Sequence, residues 1–317
     1  MSAVAAIDGG KSGLRMRIVR DTGESEGSGP GFVYSGEAAD HAAILSSVRT
    51  AREDAEAGTE QALDAVVLGL TGVPGEPAER SALASALERE LDATVLLLDD
   101  AILAHAGAVA GPGTVVCAGT GSIVLSIDED GTAASADGWG PILGDRGSAY
   151  AIGLAGLRAA AGAIDGTAIE TSLSAELRRL LGGDVSIAAL QRFYRDGSTS
   201  TPSVAAFALE VAKAAETGDR AASSILQDAA IELAETIVSA AAHAPGHPIS
   251  YSGRMLAVNA SFREAVEREL GSRGLFLAAP RGDALAGGIR LAQQRAHGGS
   301  AGLYEKAIRA WEGERLC

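Results

Sequence analysis

Short apolar runs alternate with glycine-rich or polar turns along the first part of the chain. Runs of this kind are typical of buried strands, and they predict strands at Val4–Ile7, Leu14–Ile18, Ala65–Leu70 and Thr94–Leu98. Phe32–Ser35 is a further candidate strand, and the glycine- and serine-rich stretch Gly23–Gly31 before it predicts a loop. Apolar residues at helical spacing predict helices at Glu37–Glu56, Ala78–Leu91 and Ala101–Val109. The predicted order is β-β-β-α-β-α-β-α.

The same order begins again at residue 114. Strands are predicted at Thr114–Cys117, Ile123–Ile127, Thr132–Ser135, Ile249–Ser252 and Leu275–Ala278. Helices are predicted throughout the long region Ser148–Ala244 and then at Val258–Leu270, Asp283–Gln294 and Leu303–Trp311. The pattern favours an α/β protein in which one unit is duplicated and the second copy carries a helical insert. Two generic α/β halves without duplication are the alternative.

Two predicted hairpins have tips rich in glycine and hydroxyl side chains. One tip is Gly119-Thr120-Gly121-Ser122, and the other is Gly9-Gly10-Lys11-Ser12, which follows Asp8. Glycines allow a ligand to approach the backbone, and exposed N–H groups can hold phosphate oxygens. Plain tight turns are the alternative. A Walker-A motif is excluded, because its first glycine would fall on Ala5 and a strand follows Lys11.

Asp99 and Asp100 stand between a buried strand and a helix. Carboxylates at the ends of strands face the binding cleft of open α/β sheets. One carboxylate can cap the helix that begins at Ala101, and the other can act as a general base. We favour Asp100 as the base, and Asp99 is the rival.

Composition narrows the classes of ligand. The chain has 317 residues, with 26 Lys and Arg against 41 Asp and Glu, and a net charge of −15. We therefore expect no binding to nucleic acid or to anionic membranes. The cysteines, Cys117 and Cys317, form no disulfide framework and no zinc motif. Met1–Ile7 lacks the features of a signal peptide, and no long uncharged apolar run occurs. We expect a cytoplasmic protein.

Several strings of residues resemble those of a known family. They are Ile7-Asp8-Gly9-Gly10, Gly69-Leu70-Thr71-Gly72, Asp99-Asp100-Ala101, Ala118-Gly119-Thr120-Gly121-Ser122, Gly138-Trp139-Gly140-Pro141-Ile142-Leu143-Gly144-Asp145-Arg146-Gly147-Ser148-Ala149-Tyr150, Ser252-Gly253 and Gly282-Asp283-Ala284-Leu285-Ala286-Gly287. The chain resembles the acetate and sugar kinase/heat-shock chaperone/actin superfamily. Within it, the chain is similar to the N-acetylglucosamine kinase branch of the BadF/BadG/BcrA/BcrD-type ATPases.

The resemblance implies a two-lobed, actin-like (ribonuclease H-like) ATPase fold. Its implied activity is transfer of the γ-phosphoryl group of ATP to the 6-hydroxyl of an amino sugar. The lobes would comprise residues 1–115 with the C-terminal helix 291–317, and residues 116–290. Mg²⁺ and ATP are the implied cofactors, and a homodimer is the expected assembly.

The resemblance also implies roles for single residues. Asp8 would hold hydrated Mg²⁺, Gly9–Ser12 and Gly119–Ser122 would bind phosphates, and Asp100 would be the base. Ser252, Gly253 and Arg254 resemble the adenosine motif. The implied sugar site consists of Thr71, Gly72, Asp100, Gly138, Trp139, Gly140, Asp145 and Arg146.

Some positions depart from the family pattern. Lys11, Arg146 and Arg254 stand where glycine, glutamate and glycine are usual, and Pro30–Ser35 lacks a usual asparagine. Arg146 could contact the transferred phosphate or pair with Asp145. N-acetylglucosamine is the favoured acceptor, with free glucosamine as the alternative and a non-catalytic sensor as a remote one. An iron–sulfur ATPase that activates a dehydratase is disfavoured by the two cysteines.

Overall fold

The structure is a computed structural model that describes residues 3–11, 13–32, 38–56, 61–299 and 302–314. Within them the strands form two sheets. The first contains β1 (Val4–Gly10), β2 (Gly13–Arg20), β3 (Gly23–Gly29), β4 (Ala65–Leu70) and β5 (Thr94–Asp99). The second contains β6 (Gly113–Ala118), β7 (Ser122–Ile127), β8 (Ala133–Asp137) and β9 (Ile249–Ser252).

Helices follow the predicted order. Those that belong to the first half are α1 (Ala38–Glu56), α2 (Pro77–Leu91) and α3 (Asp100–Ala108). The insert contributes α4 (Ala149–Asp165), α5 (Leu173–Leu180), α6 (Ile187–Arg195), α7 (Thr201–Ala206), α8 (Ala208–Glu216) and α9 (Arg220–Ala241). The remainder are α10 (Arg254–Val258), α11 (Ala260–Gly271), α12 (Ala284–Ala296) and α13 (Leu303–Glu314).

The first sheet has the strand order β3-β2-β1-β4-β5. β1 pairs antiparallel with β2 and parallel with β4. Successive side chains of a strand point to opposite faces. Ala5 and Ile7 accordingly pack in the core that contains α1 and α2, whereas Val4 and Ala6 pack in the core that contains α3 and α12. This burial on both faces explains the continuous apolar runs in β1 and β4.

The second sheet repeats the first with the order β8-β7-β6-β9. The antiparallel and parallel pairs correspond, since β6 pairs with β7 and β9 as β1 pairs with β2 and β4. The predicted helical insert is present between β8 and β9. Its longest helix, α9, buries Leu233 and Ile237 in the core of this half. The predicted fold class, a duplicated α/β unit with a helical insert, is confirmed.

Two helices meet where the halves join. A methyl group at Gly107 of α3 would lie 2.1 Å from the Asp283 carbonyl oxygen, and one at Gly287 of α12 would lie 2.3 Å from the Gly107 nitrogen. Arg290 of α12 also donates to the Ala106 carbonyl oxygen. The helices therefore touch backbone to backbone. The proposed lobe boundary at residue 290 falls inside α12 and stays a prediction.

The third strand lies elsewhere than predicted. Gly23–Gly29, predicted as a loop, forms β3 and pairs with β2. Methyl groups at Gly27 and Gly29 would lie 2.1 Å from the Ala51 carbonyl oxygen and 2.2 Å from that of Ser47. The glycines are thus required by the close packing of α1 on the strand. Residues 33–35 of the predicted strand lie outside the described residues.

The predicted strand Leu275–Ala278 was also wrong in extent. It contributes one isolated bridge, Ile249 to Leu277, and the Ala278 N–H donates to the Ile249 carbonyl at 2.7 Å. The short helix α10 was not predicted.

Among the described residues, no helix combines the length and apolar character that crossing a bilayer demands.

Candidate active site

The first hairpin tip lies at the carboxyl end of β1, beside β4. The Thr71 N–H donates to the Gly9 carbonyl at 2.9 Å, and the Phe32 N–H donates to the Gly10 carbonyl at 3.2 Å. A methyl group at Gly10 would lie 2.7 Å from Thr71 Oγ1. Only glycine fits there without moving the threonine. Lys11 is exposed, and Ser12 lies outside the described residues.

Asp8 precedes this tip on the face of β1 that looks toward the second half. Its side chain is partly exposed, and Arg15 Nη2 donates to its Oδ2 at 2.8 Å. Arg15 was not among the residues predicted for the site. Its position on the same face as Asp8 follows from the alternation of β2 only once the hairpin register is known.

The second hairpin tip is held by backbone hydrogen bonds. The Gly119 N–H donates to the Gly121 carbonyl at 2.9 Å, which closes the turn. N–H groups at the start of α4 then donate to the carbonyls of Gly119 and Thr120, at 3.0 and 3.1 Å. The Ser122 N–H donates to Asp145 Oδ1 at 3.1 Å. This tip is therefore fixed between α4 and the segment that carries Asp145.

The two adjacent aspartates have different positions. Asp99 is buried, and its Oδ1 accepts the Ala101 N–H at 3.1 Å as the N-cap of α3. Thr71 Oγ1 donates to Asp100 Oδ2 at 2.5 Å. The geometry gives the capping role to Asp99 and turns Asp100 toward Thr71, in the predicted sugar site.

The Asp100 carboxyl is held in an environment that disfavours its charge. Burial and the neighbouring charge of Asp99 raise the pKa of Asp100 to about 7, against the hydrogen bond from Thr71, which favours the ionised form. The charge of Asp8 adds to the increase. A carboxyl with a pKa near neutrality can both accept and release a proton under ordinary conditions.

Charges also connect the two halves. Burial raises the pKa of Cys117 on β6, and Asp100, Asp99 and Asp8 raise it further. Lys11 acts in the opposite sense on Asp145, whose pKa burial raises. Charged side chains of the first half therefore lie near Cys117 of β6 and near Asp145 of the second half.

The segment from Asp137 to Gly147 is unusually constrained. Asp137 and Asp145 both have positive φ, at 67° and 59°, as do Gly138, Gly140 and Gly147. Asp137 stabilises the turn, because its carboxylate accepts the N–H groups of Asp145 and Arg146 at 2.9 and 2.8 Å. Non-glycine residues with positive φ are strained, and such strain concentrates at ligand sites.

Side chains of this segment point in different directions. Asp145 is buried, whereas Trp139 is exposed and contacts no aromatic ring among the described residues. Arg146 Nη1 lies 3.7 Å from Asp137 Oδ2. The partners considered for Arg146 from the sequence were the transferred phosphate and Asp145. In the structure Arg146 forms its ion pair with Asp137, a residue that was not predicted for this role.

The predicted adenosine motif adjoins the second tip. Ser252 ends β9 opposite Cys117. Gly253 has φ 92°, and a methyl group there would lie 2.3 Å from the Ala118 carbonyl oxygen. Arg254 begins α10 and is exposed. The motif thus lies against the strand that leads into Gly119.

The donor chemistry is compatible with Mg²⁺ bound mainly by substrate. No group of three or more His, Cys, Asp or Glu side chains among the described residues could hold a metal alone. Mg²⁺ commonly uses one or two carboxylates together with phosphates and water. Asp8 offers one such carboxylate, and its contact with a guanidinium shows that the position accepts a cation.

The family is shown by comparison with known proteins. The model of the BadF/BadG/BcrA/BcrD ATPase family matches residues 6–275. The chain belongs to this family. The match covers both hairpin tips, Asp100 and the Asp145 segment, and it confirms the resemblance found in the sequence.

Relatives of this family member include sugar kinases. An N-acetylmuramic acid/N-acetylglucosamine kinase of Clostridium acetobutylicum is 33% identical over 140 residues, which are 44% of this chain and 45% of the relative. An N-acetyl-D-glucosamine kinase of Dictyostelium discoideum is 30% identical over 185 residues, which are 57% of each chain. The chain thus matches about half the length of these relatives.

A solved structure extends the similarity over the whole fold. A Chromobacterium violaceum protein with a provisional assignment as N-acetylglucosamine kinase has a TM-score of 0.74 and 26% identity. The match covers 92% of this chain and 99% of that one. The two-lobed actin-like ATPase architecture is therefore shared by this chain.

Proposed function

We propose that the protein is a Mg²⁺- and ATP-dependent amino-sugar kinase that phosphorylates the 6-hydroxyl of N-acetylglucosamine. The position of Asp100 carries this proposal. Its carboxyl has a pKa near 7 and accepts a hydrogen bond from Thr71, and the proposal places it in a cleft between the two glycine-rich tips. The names of the relatives support the same class of reaction.

The proposed phosphoryl transfer needs a proton acceptor and a site for the phosphates. The sugar hydroxyl oxygen attacks the γ-phosphorus, the bond from that phosphorus to the β–γ bridging oxygen breaks, and the hydroxyl proton passes to Asp100. ADP and the sugar 6-phosphate are the products. Mg²⁺ at Asp8 would neutralise part of the phosphate charge during this step.

Hairpin backbones would hold the phosphates in place of a basic patch. Gly9–Lys11 and Gly119–Ser122 would present glycine-rich backbone to the phosphates, and Ser252–Arg254 would lie beside the adenosine. Asp145 would accept hydrogen bonds from sugar hydroxyls, with the backbone of Gly138–Gly140 and the side chain of Trp139 nearby. The choice of sugar rests on the named relatives, and glucosamine remains the alternative acceptor.

The proposal is tested by ADP release with a panel of acceptors. N-acetylglucosamine, glucosamine, N-acetylmannosamine, N-acetylmuramic acid and glucose would be compared by a coupled assay. We expect N-acetylglucosamine to give the highest kcat/KM. A higher value for glucosamine would transfer the function to the alternative, and ligand binding without ADP release would indicate a sensor.

Asp100→Asn and Asp99→Asn form a matched pair that tests the base. Asp100→Asn should lower kcat roughly 10²–10⁴-fold, the usual contribution of a general base, while ADP binding persists. Asp99→Asn should keep most of the activity, because asparagine is also a good N-cap. Near-normal turnover in Asp100→Asn, together with a large loss in Asp99→Asn, would make Asp99 the base.

Assembly and location are further parts of the proposal. We propose a cytoplasmic homodimer. Exposed apolar side chains on one face of α6, namely Ile187, Leu190 and Tyr194, support burial against another subunit. Analytical ultracentrifugation tests this, and a monomer at micromolar concentration would contradict it. We also propose the lobe boundaries predicted from the sequence, which are residues 1–115 with 291–317 for one lobe and residues 116–290 for the other.

A further inference from the structure

Asp8, the proposed metal ligand, already has a cationic partner. Arg15 Nη2 lies 2.8 Å from Asp8 Oδ2. The contact follows from the register of the first hairpin, in which Asp8 and Arg15 are directly opposite each other on β1 and β2. The Arg15 side chain is 54% exposed. Its guanidinium can therefore move without disturbing the core.

A second carboxylate lies on the other side of this guanidinium. Arg15 Nη1 is 3.8 Å from Asp283 Oδ2. Asp283 caps α12, since its Oδ1 accepts the Ala286 N–H at 2.8 Å. Arg15 thus lies between the carboxylate at the phosphate site and the first turn of the helix that joins the halves.

Arg17 provides an internal comparison on the same strand. Its guanidinium lies 3.3 Å from Asp283 Oδ2 and 2.7 Å from Glu26 Oε1. In the hairpin register it is opposite Ala6, two positions before Asp8. Arg17 therefore shares Asp283 with Arg15 and has Glu26, rather than Asp8, as its other carboxylate partner.

We propose that Arg15 is a positioning residue that neutralises Asp8 in the metal-free protein and transfers to Asp283 when Mg²⁺ and nucleotide bind. The inference rests on the proposed function, which places Mg²⁺ at Asp8. An exposed ion pair contributes little free energy, so a divalent cation can displace it. Without either cation, Asp8 would repel the phosphates of the nucleotide.

Isothermal titration calorimetry of ADP, in EDTA and in excess Mg²⁺, tests this role. The measured quantity is the dissociation constant of ADP in EDTA divided by that in excess Mg²⁺. This ratio reports how strongly Mg²⁺ promotes ADP binding. In Arg15→Gln the ratio should rise roughly two- to fivefold, the range expected from an exposed ion pair. ADP binding in EDTA should weaken, because no cation then neutralises Asp8. ADP binding in Mg²⁺ should be equal or tighter, because Arg15 no longer competes with Mg²⁺ for Asp8.

Three variants complete the design. Arg17→Gln is the matched control: Arg15 remains on Asp8, and the loss of Arg17 from Asp283 can only ease the transfer of Arg15, so any rise in the ratio should be smaller than in Arg15→Gln. Arg15→Lys retains a positive charge and should lie nearer to wild type than Arg15→Gln. Asp283→Asn retains a capping side chain, yet should lower the ratio, because the displaced Arg15 loses its second carboxylate.

Several results would overturn the proposal. Equal weakening of ADP binding in both buffers for Arg15→Gln would mean direct contact with the nucleotide. The same rise in Arg17→Gln would mean a structural effect of losing charge from β2. An unchanged ratio in Asp283→Asn would remove the transfer step.

The test separates this inference from the proposed function, because ADP binding needs no sugar. A wild-type protein that binds Mg²⁺ and ADP but phosphorylates no amino sugar would refute the kinase and leave the Arg15 proposal intact. An active kinase whose Arg15→Gln variant keeps the wild-type ratio would do the reverse.

Discussion

The two hairpin tips have similar sequences, and backbone hydrogen bonds hold both, but the groups around them differ. The first follows Asp8 and is surrounded by charged side chains, with Arg15 and Asp283 beside it. The second, Gly119–Ser122, is held by hydrogen bonds from α4 and to Asp145. Charged contacts respond to metal, salt and ligand, whereas a backbone network keeps one geometry. The comparison indicates that the charged contacts around the first tip are adjustable, whereas the second tip, called here the fixed tip, keeps one geometry.

The largest expected effect comes from breaking the base of the fixed tip. Gly253→Ala would place a methyl group 2.3 Å from the Ala118 carbonyl oxygen at a residue with φ 92°. Strain at such a φ and overpacking each cost about 1–3 kcal/mol, so we expect a loss of roughly 2–6 kcal/mol of unfolding free energy. Urea denaturation measures this loss.

A glycine in an open position serves as the control for that substitution. Gly271→Ala lies at the end of α11, where an added methyl group meets nothing within 4 Å. Its urea midpoint should stay close to that of wild type. If Gly253→Ala were equally mild, the second tip would be less rigid than the hydrogen bonds indicate.

Sequence patterns predicted the tips better than their surroundings. Both glycine-rich turns, the strands beside them and Asp100 directly after β5 follow from local rules about apolar runs and turn residues. Arg15 and Asp137 were missed because their roles depend on strand register and on a folded turn. β3 was missed because its glycines are required by the close packing of α1 on the strand, a tertiary contact that no local pattern reveals.

The choice between Asp99 and Asp100 illustrates the same limit. Both residues satisfy the sequence rule for a helix cap and the rule for a strand-end carboxylate. Only the folded backbone distinguishes the side chain that accepts the Ala101 N–H from the one that meets Thr71. The hydrogen bond between Asp145 and the Ser122 N–H is likewise not predictable from local sequence, because the two residues are far apart in the chain.

A second prediction concerns the strand that leads into the fixed tip. His105 is buried, with Nε2 3.0 Å from the Gly113 carbonyl of β6 and Nδ1 3.1 Å from the Tyr304 hydroxyl. Burial lowers the pKa of His105 from 6.5 to about 4, against the hydrogen bond to Gly113. The unfolded chain therefore binds the proton more readily, and stability falls as the pH drops from about 6.5 towards 4.

The size of this pH effect can be isolated with a variant. A shift of this size corresponds to roughly 3 kcal/mol once the pH is below both pKa values. His105→Gln carries an amide that can donate to the Gly113 carbonyl in place of Nε2, and it does not titrate. Urea midpoints between pH 4 and 7 should therefore fall more steeply for wild type than for His105→Gln. Parallel curves for the two proteins would show that His105 is not the group responsible.

The smallest stability effect is expected at Gly119, the first residue of the fixed tip, and the substitution there separates folding from binding. A methyl group at Gly119 would meet nothing within 4 Å. Gly119→Ala should therefore change the unfolding free energy by less than about 0.5 kcal/mol, as substitutions away from packed features do.

The same methyl group would nevertheless project from the backbone that is proposed to hold phosphate, and glycine there permits close approach. Calorimetry with ADP and Mg²⁺ should show weaker binding, on the order of tenfold, if one phosphate contact is lost at about 1.4 kcal/mol. Wild-type ADP affinity in a stable Gly119→Ala protein would exclude this tip from the phosphate site, and the first tip would then have to bind the phosphates alone.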